Sequence, residues 1–208
     1  MEIKQINAGA NCYLISQGKN GILIDTGMSG NEKKILKECG SKNMKLIILT
    51  HGHIDHIGCA KALSEKWNVP IAINERDLNI VRHPENAKIK GEGIIKKIFA
   101  FLSVLSSKYS KIDKFEPTVF FKEGDGLQEY GIDGQIVELP GHTAGSIGIK
   151  TKDSLFAGDA LFHIVKPSVA VLYENKADML KSVRKIQDMG QCTIYYGHGT
   201  PVQNKKWI

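Results

Sequence analysis

The chain has 208 residues, a length that suits one domain, and its 42% hydrophobic and 24% charged residues are those of a chain that buries a core in water. The net charge is +6, but the basic residues are scattered, so a solvated basic surface is expected and nucleic acid is disfavoured as a partner. Cys12, Cys39, Cys59 and Cys192 form neither a C-x-x-C pair nor a disulfide framework, which argues against a cystine-stapled domain and for reduced, buried thiols.

Short strands are expected at 2–7, 11–16 and 21–25, punctuated by Gly9, Gly18 and Gly21. A helix over 30–39 closes at Gly40, and Leu46-Ile-Ile-Leu49 is a buried strand running straight into Thr50-His-Gly-His-Ile-Asp-His56. Residues 58–67 read as a helix and 70–73 as a strand. From about 75 to 115 the sequence becomes Lys-rich and helical. Within it, a helix over 91–108 would gather Ile94, Ile95, Ile98, Phe99, Phe101, Leu102 and Leu105 on an arc of roughly 160°, leaving Lys96, Lys97 and Lys108 outside. Such a face can dock on the domain, roof a cleft as a substrate lid, or lie on a membrane surface.

Strands return at 118–122, 134–139, 146–151 and 154–158, followed by a helix over 176–189 ending at Gly190 and a strand at 193–196. Two strand-and-helix halves separated by a helical insertion predict a single domain over 1–208 of α/β class, with two packed sheets and helices outside. The N-terminus carries no signal-peptide pattern and no segment is long enough for a membrane span, so a cytoplasmic protein is expected.

Three of the seven histidines fall within residues 51–56. Residues i and i+2 leaving a strand can share a side, so His51 and His53 can converge on one ion. Asp55 and His56 are adjacent and need the turn into the next helix, which Gly58 permits. Imidazoles with a few carboxylates and no thiolate suit a borderline cation. His83 and His163 belong to no motif and read as packed or surface residues.

At these residues the chain resembles the metallo-β-lactamase superfamily, and especially its glyoxalase II-like (hydroxyacylglutathione hydrolase-like) branch. Four segments carry the likeness in order: 50–56, Leu139-Pro-Gly-His-Thr-Ala-Gly-Ser146, Phe156-Ala-Gly-Asp-Ala-Leu-Phe162 and Tyr196-Gly-His-Gly-Thr-Pro201. The resemblance implies a four-layer αββα sandwich. It also implies two metal sites: His51, His53 and His142 at one, and Asp55, His56 and His198 at the other, with Asp159 bridging. Two divalent ions are implied, zinc first, with iron and manganese also compatible with these donors. Asp25, at the end of its strand, resembles an aspartate that orients a ligand, although turn capping would use the same residue.

What such a site implies is a metal-dependent hydrolase. A water shared by two cations is acidified into a hydroxide that attacks an ester, thioester or lactone, and Asp55 passes a proton to the leaving group. His56 and Asp159 separate the chain from β-lactamases with a cysteine ligand, and His53 from flavodiiron proteins. Phe162 stands where quorum-sensing lactonases carry tyrosine. The His163-Ile-Val-Lys-Pro167 continuation departs from glyoxalase II, and the larger glyoxalases' C-terminal glutathione-binding domain is not expected. Alternatives are a mononuclear iron persulfide dioxygenase-like oxidoreductase, a nucleic-acid-processing phosphodiesterase and a binding module with structural metals. A small-molecule substrate is expected; its identity and the oligomeric state are not legible.

Overall fold

The computed structural model describes residues 1–91, 112–163 and 166–208. Six strands form one sheet in the order β1-β2-β3-β4-β5-β7, with β1 Glu2–Ala8, β2 Ala10–Gln17, β3 Asn20–Ile24, β4 Asn43–Ile48, β5 Ile71–Ile73 and β7 Val119–Phe120. The first three run antiparallel, and β3, β4, β5 and β7 are mutually parallel. A second sheet has the order β15-β14-β10-β9-β8, from β8 Gln135–Glu138, β9 Ile147–Lys150, β10 Ser154–Phe156, β14 Thr193–Tyr195 and β15 Val202–Gln203. Two ribbons flank it: β11 Leu161–His163 with β12 Pro167–Val169, and β6 Lys90–Gly91 with β13 Leu172–Tyr173.

The apolar runs of the central strands follow from their position between two cores. In β2, Tyr13 and Ile15 face the second sheet, whereas Cys12 and Leu14 face the helices. In β4, Leu46 and Ile48 face inward and Ile47 outward. Period-two alternation thus feeds both faces, so the central positions of these strands are apolar on both sides. Ile22, Ile24, Ile136, Ile147, Ile149 and Phe156 complete the inter-sheet core. Each such side chain contributes about 1.5–3 kcal/mol on full burial.

Outside the first sheet lie α1 (Glu32–Cys39), docked through Ile35 and Cys39, and α3 (Ala60–Trp67), docked through Ala60 and Leu63. Outside the second sheet lies α5 (Lys176–Gln187), docked through Val183 and Ile186. Asn175 caps α5 by accepting from the amides of Ala177 and Asp178, 3.0 and 3.3 Å away. These layers make the four-layer αββα sandwich expected from the sequence. All four cysteines are free and buried.

Some boundaries differ from the sequence reading. The helix expected over 58–67 is α3, beginning two residues later at Ala60, and a separate short helix, α2 (Ile54–Ile57), precedes it. The strand expected to reach 158 stops at Phe156, and residues 158–160 form a 3-10 turn. Of the region 75–115, a 3-10 turn at Glu75–Asp77, α4 (Leu78–Arg82) and a 3-10 turn at Pro84–Asn86 are described. The amphipathic helix expected at 91–108 lies outside the described residues, apart from Gly91 in β6. The ribbons were not foreseen, because strands of two or three residues exist only through pairing with distant partners.

One geometric consequence positions the site. Strands β3, β4 and β5 share a direction, as do β8, β10 and β14. The segments after their carboxyl ends gather along one edge of the sandwich, joined across the sheets by Ile147 N donating to Thr50 O at 2.8 Å.

Candidate metal centre

Each sequence motif leaves the carboxyl end of one of these strands. His51 and His53 follow β4, Asp55 and His56 sit on α2, His142 follows β8, Asp159 follows β10, and His198 follows β14. The structure brings these seven residues together, although strands from both sheets carry them. Three groups have donor atoms within 4.8 Å of one another: His51, His53 and His142; Asp55, His56 and His198; and His51, His56 and Asp159. His142 Nε2 lies 2.9 Å from His53 Nδ1, and His198 Nε2 lies 3.1 Å from Asp55 Oδ2. Asp159 sits between the first two groups. Its Oδ2 is 3.6 Å from His142 Nε2 and 3.5 Å from His198 Nε2, and its Oδ1 is 3.5 Å from His56 Nε2.

The rings are aimed from behind. His56 Nδ1 donates to Asp25 Oδ2 at 2.8 Å, and His142 Nδ1 donates to the carbonyl of Leu172 at 2.9 Å. Thr50 Oγ1 donates to Asp25 Oδ2 at 2.8 Å and accepts from His51 Nδ1 at 3.0 Å. Each contact holds Nδ1 of one ring from behind and so turns Nε2 into the centre. Asp25 accepts a further bond from Thr50 N at 2.7 Å, so one carboxylate holds both the His56 ring and the start of the His51 segment. Its φ of 56° places it in the left-handed region that aspartate tolerates among non-glycine residues.

Charge is distributed unevenly. Burial, with neighbouring rings adding to it, pushes His51 well below the ordinary histidine range and His53 down to about 3. Burial acts the same way on His56 and His198, but the Asp159 and Asp55 carboxylates outweigh it and raise both rings. Conversely, burial would raise the Asp159 carboxyl, and His198 and His56 bring it down to about 2. Asp55, with burial again opposing, is held well below the carboxylate range by His56 and His198.

Whether this centre fits cations can be judged from its unmet atoms. His51 Nε2, His53 Nε2, His56 Nε2 and Asp159 Oδ1 are buried and find no hydrogen-bond partner among the described residues. Burying so many polar atoms unsatisfied would cost several kcal/mol in total, at about 1–3 kcal/mol each. Imidazole nitrogens and carboxylate oxygens within 4.8 Å of one another are the donor set of a divalent transition metal. The residues fit the implied ions.

Residues 7–198 match the family model of the metallo-β-lactamase superfamily. The chain belongs to that superfamily. Among its relatives, the probable metallo-hydrolase YflN of Bacillus subtilis is 28% identical, the match covering 95% of this chain and 83% of that protein. The hydroxyacylglutathione hydrolase GloC of Haemophilus influenzae is 34% identical over 73% of this chain and 66% of its own. The fold is that of the BLEG-1 B3 metallo-β-lactamase, with a TM-score of 0.74, 20% identity and coverage of 97% and 94% of the two chains. It is equally that of TTHA1623 in a di-iron-bound form, with a TM-score of 0.70, 20% identity and coverage of 98% and 94%. This member of the superfamily is a metal-dependent hydrolase.

Two glycines show how tightly the superfamily centre is packed here. At Gly197 a Cβ would strike Asp159 Oδ1, and at Gly58 it would strike the amide of Ser29. Gly58 has ordinary helical φ and ψ, so close approach, not turn freedom, is its reason. His83 is exposed and faces Glu85, whereas His163 donates its amide to His198 O at 3.1 Å and its Nδ1 proton to Thr200 O at 2.6 Å. The sequence reading missed Asn11, which donates from Nδ2 to the carbonyls of Tyr196 and Gly199 at 3.0 and 2.8 Å and so fixes the His198 segment. A polar residue inside the apolar strand Ala10–Gln17 was the available signal. Among the described residues no helix is long and apolar enough to cross a membrane.

Proposed function

We propose that the chain holds two divalent cations and hydrolyses a small carbonyl ester, thioester or lactone. The observation that carries this is the set of buried, partnerless donor atoms around Asp159. In this reading His51, His53 and His142 hold one ion, Asp55, His56 and His198 hold the other, and Asp159 serves both. Zinc is the first expectation, because borderline imidazole and carboxylate donors suit it. When bound, such ions supply Lewis acidity and acidify a shared water.

The chain's own residues provide the rest. Asp25, Thr50 and the Leu172 carbonyl hold the Nδ1 atoms of His56, His51 and His142, so each of these rings presents Nε2 to the centre. Asp55 is the accessible carboxylate: its side chain is 30% exposed, against 5% for Asp159 and 2% for Asp25. Its Oδ2 faces His198 and His56, which leaves Oδ1 to take a proton and hand it to a leaving group. Phe162 packs against both His142 and His198, with ring centroids 5.9 Å away in each case, and gives the centre an apolar wall. The similarity to a hydroxyacylglutathione hydrolase supports including thioesters among the substrates.

The test is metal analysis after zinc, iron or manganese reconstitution, followed by ester, thioester, lactone and phosphodiester substrates assayed beside an oxygen electrode. About two ions per chain and metal-dependent carbonyl hydrolysis without oxygen uptake are expected. Oxygen uptake with a glutathione persulfide and no hydrolysis would overturn the reading.

A further inference from the structure

Asp77 closes the 3-10 turn after β5, directly before α4. An aspartate in that place ordinarily caps the helix that follows, but this side chain makes no capping bond. It is fully buried and turns instead toward two segments far away in sequence. Its Oδ2 accepts from Gly52 N at 2.9 Å and from Thr143 Oγ1 at 2.7 Å, while its Oδ1 accepts from Gly145 N at 2.6 Å. Gly52 lies between His51 and His53, and Thr143 follows His142. Thr143 Oγ1 also lies 2.7 Å from Ser146 Oγ, which accepts from Thr143 N at 3.0 Å, so the second segment is braced internally.

We propose that Asp77 is a positioning residue that locks the segment carrying His51 and His53 to the segment carrying His142, and so sets the spacing of that triad. The inference rests on the two-ion reading above. Its physical basis is the need for a carboxylate. A buried carboxylate is an expensive group to keep, and an amide would be easier to bury. Asparagine, however, offers one acceptor oxygen. The amides of Gly52 and Gly145 address different oxygens of Asp77, so an NH2 group in either orientation would face one of those N–H donors. One segment is released whichever way the amide lies. The approach is close as well: a Cβ on Gly145 would lie 2.6 Å from Asp77 Oδ1. Among the described residues Asp77 is bonded to Gly52, Thr143 and Gly145 and not to Asp55, His56 or His198, so a clamp acting on one triad is expected to spare the other.

The experiment is a Co²⁺ titration of the metal-stripped full chain, followed by visible absorption, in single-triad backgrounds. His198→Ala protein is expected to keep the ion of the first triad, and His142→Ala protein the ion of the second. Adding Asp77→Asn should weaken Co²⁺ binding about 10–100-fold in the His198→Ala background and leave it unchanged in the His142→Ala background. Equal weakening in both backgrounds would mean a general structural role and would overturn the clamp, as would no change in either. If Asp77→Asn does not fold, Thr143→Val removes one of the three donors and should weaken the same ion about tenfold. No weakening there also overturns the proposal. Wild-type protein that takes up fewer than two ions overturns the two-ion reading and the clamp with it, and that failure is read from the wild-type titration alone.

Discussion

The two triads of the centre use nearly the same side chains and are held in opposite ways. His51, His53 and His142 are all buried, and neutral groups, the Thr50 hydroxyl and the Leu172 carbonyl, stand behind two of them. Asp55 and His198 are half-buried, and a carboxylate stands behind His56. Burial pushes His51 and His53 down, while neighbouring carboxylates outweigh it and push His56 and His198 up. The lesson is that similar side chains take their character from their surroundings: one triad is closed and backed by neutral groups, the other open and charge-rich.

The sharpest way to break this contrast is to remove the group both triads share. Asp159→Ala is expected to lower metal content from about two ions to one or fewer and hydrolysis by about 10²–10³-fold. Unchanged metal content and activity in that variant would show that Asp159 does not serve both. Next comes the carboxylate behind His56. Asp25→Asn keeps a residue that tolerates the left-handed backbone but removes the charge, and should lower metal affinity or activity about 10–100-fold. Cobalt titration against Asp25→Ala separates the charge from the backbone: equal losses in both variants would assign the effect to charge and hydrogen bonding.

A smaller effect is expected from crowding. Gly197→Ala brings a methyl group against Asp159 and His56 and should destabilise the fold by about 1–3 kcal/mol, read as a lower urea midpoint. An unshifted midpoint would mean that the Tyr196–His198 segment can yield. Smallest is the control outside the contrast. His83→Ala, at an exposed histidine facing Glu85, should stay within about 0.5 kcal/mol of the parent in stability. A change in its metal content would return His83 to the list of ligand candidates.

The residues of the centre and their order were legible in the sequence because donors sit at short, fixed spacings beside buried strands. Local spacing pointed to His51, His53, Asp55 and His56, and the family likeness added His142, Asp159 and His198. The four layers were legible too, since alternating residues of strands such as Cys12 to Ile15 must satisfy two cores at once. What local pattern could not supply is how each ring is aimed. The partners of the ring nitrogens, Asp25 for His56 and Leu172 O for His142, lie about thirty residues away. Nothing in the local sequence marks Asp77, and only the meeting of its turn with the His51 segment and the His142 segment makes it a three-bond acceptor. Sequence by itself pointed to the layered fold, because periodicity acts over a few residues, and through the family likeness to the donor set. The aim of the rings, the burial contrast between the triads and the buried carboxylate that joins two segments were decided by tertiary structure, because hydrogen bonding and desolvation depend on neighbours that the chain brings together only when folded.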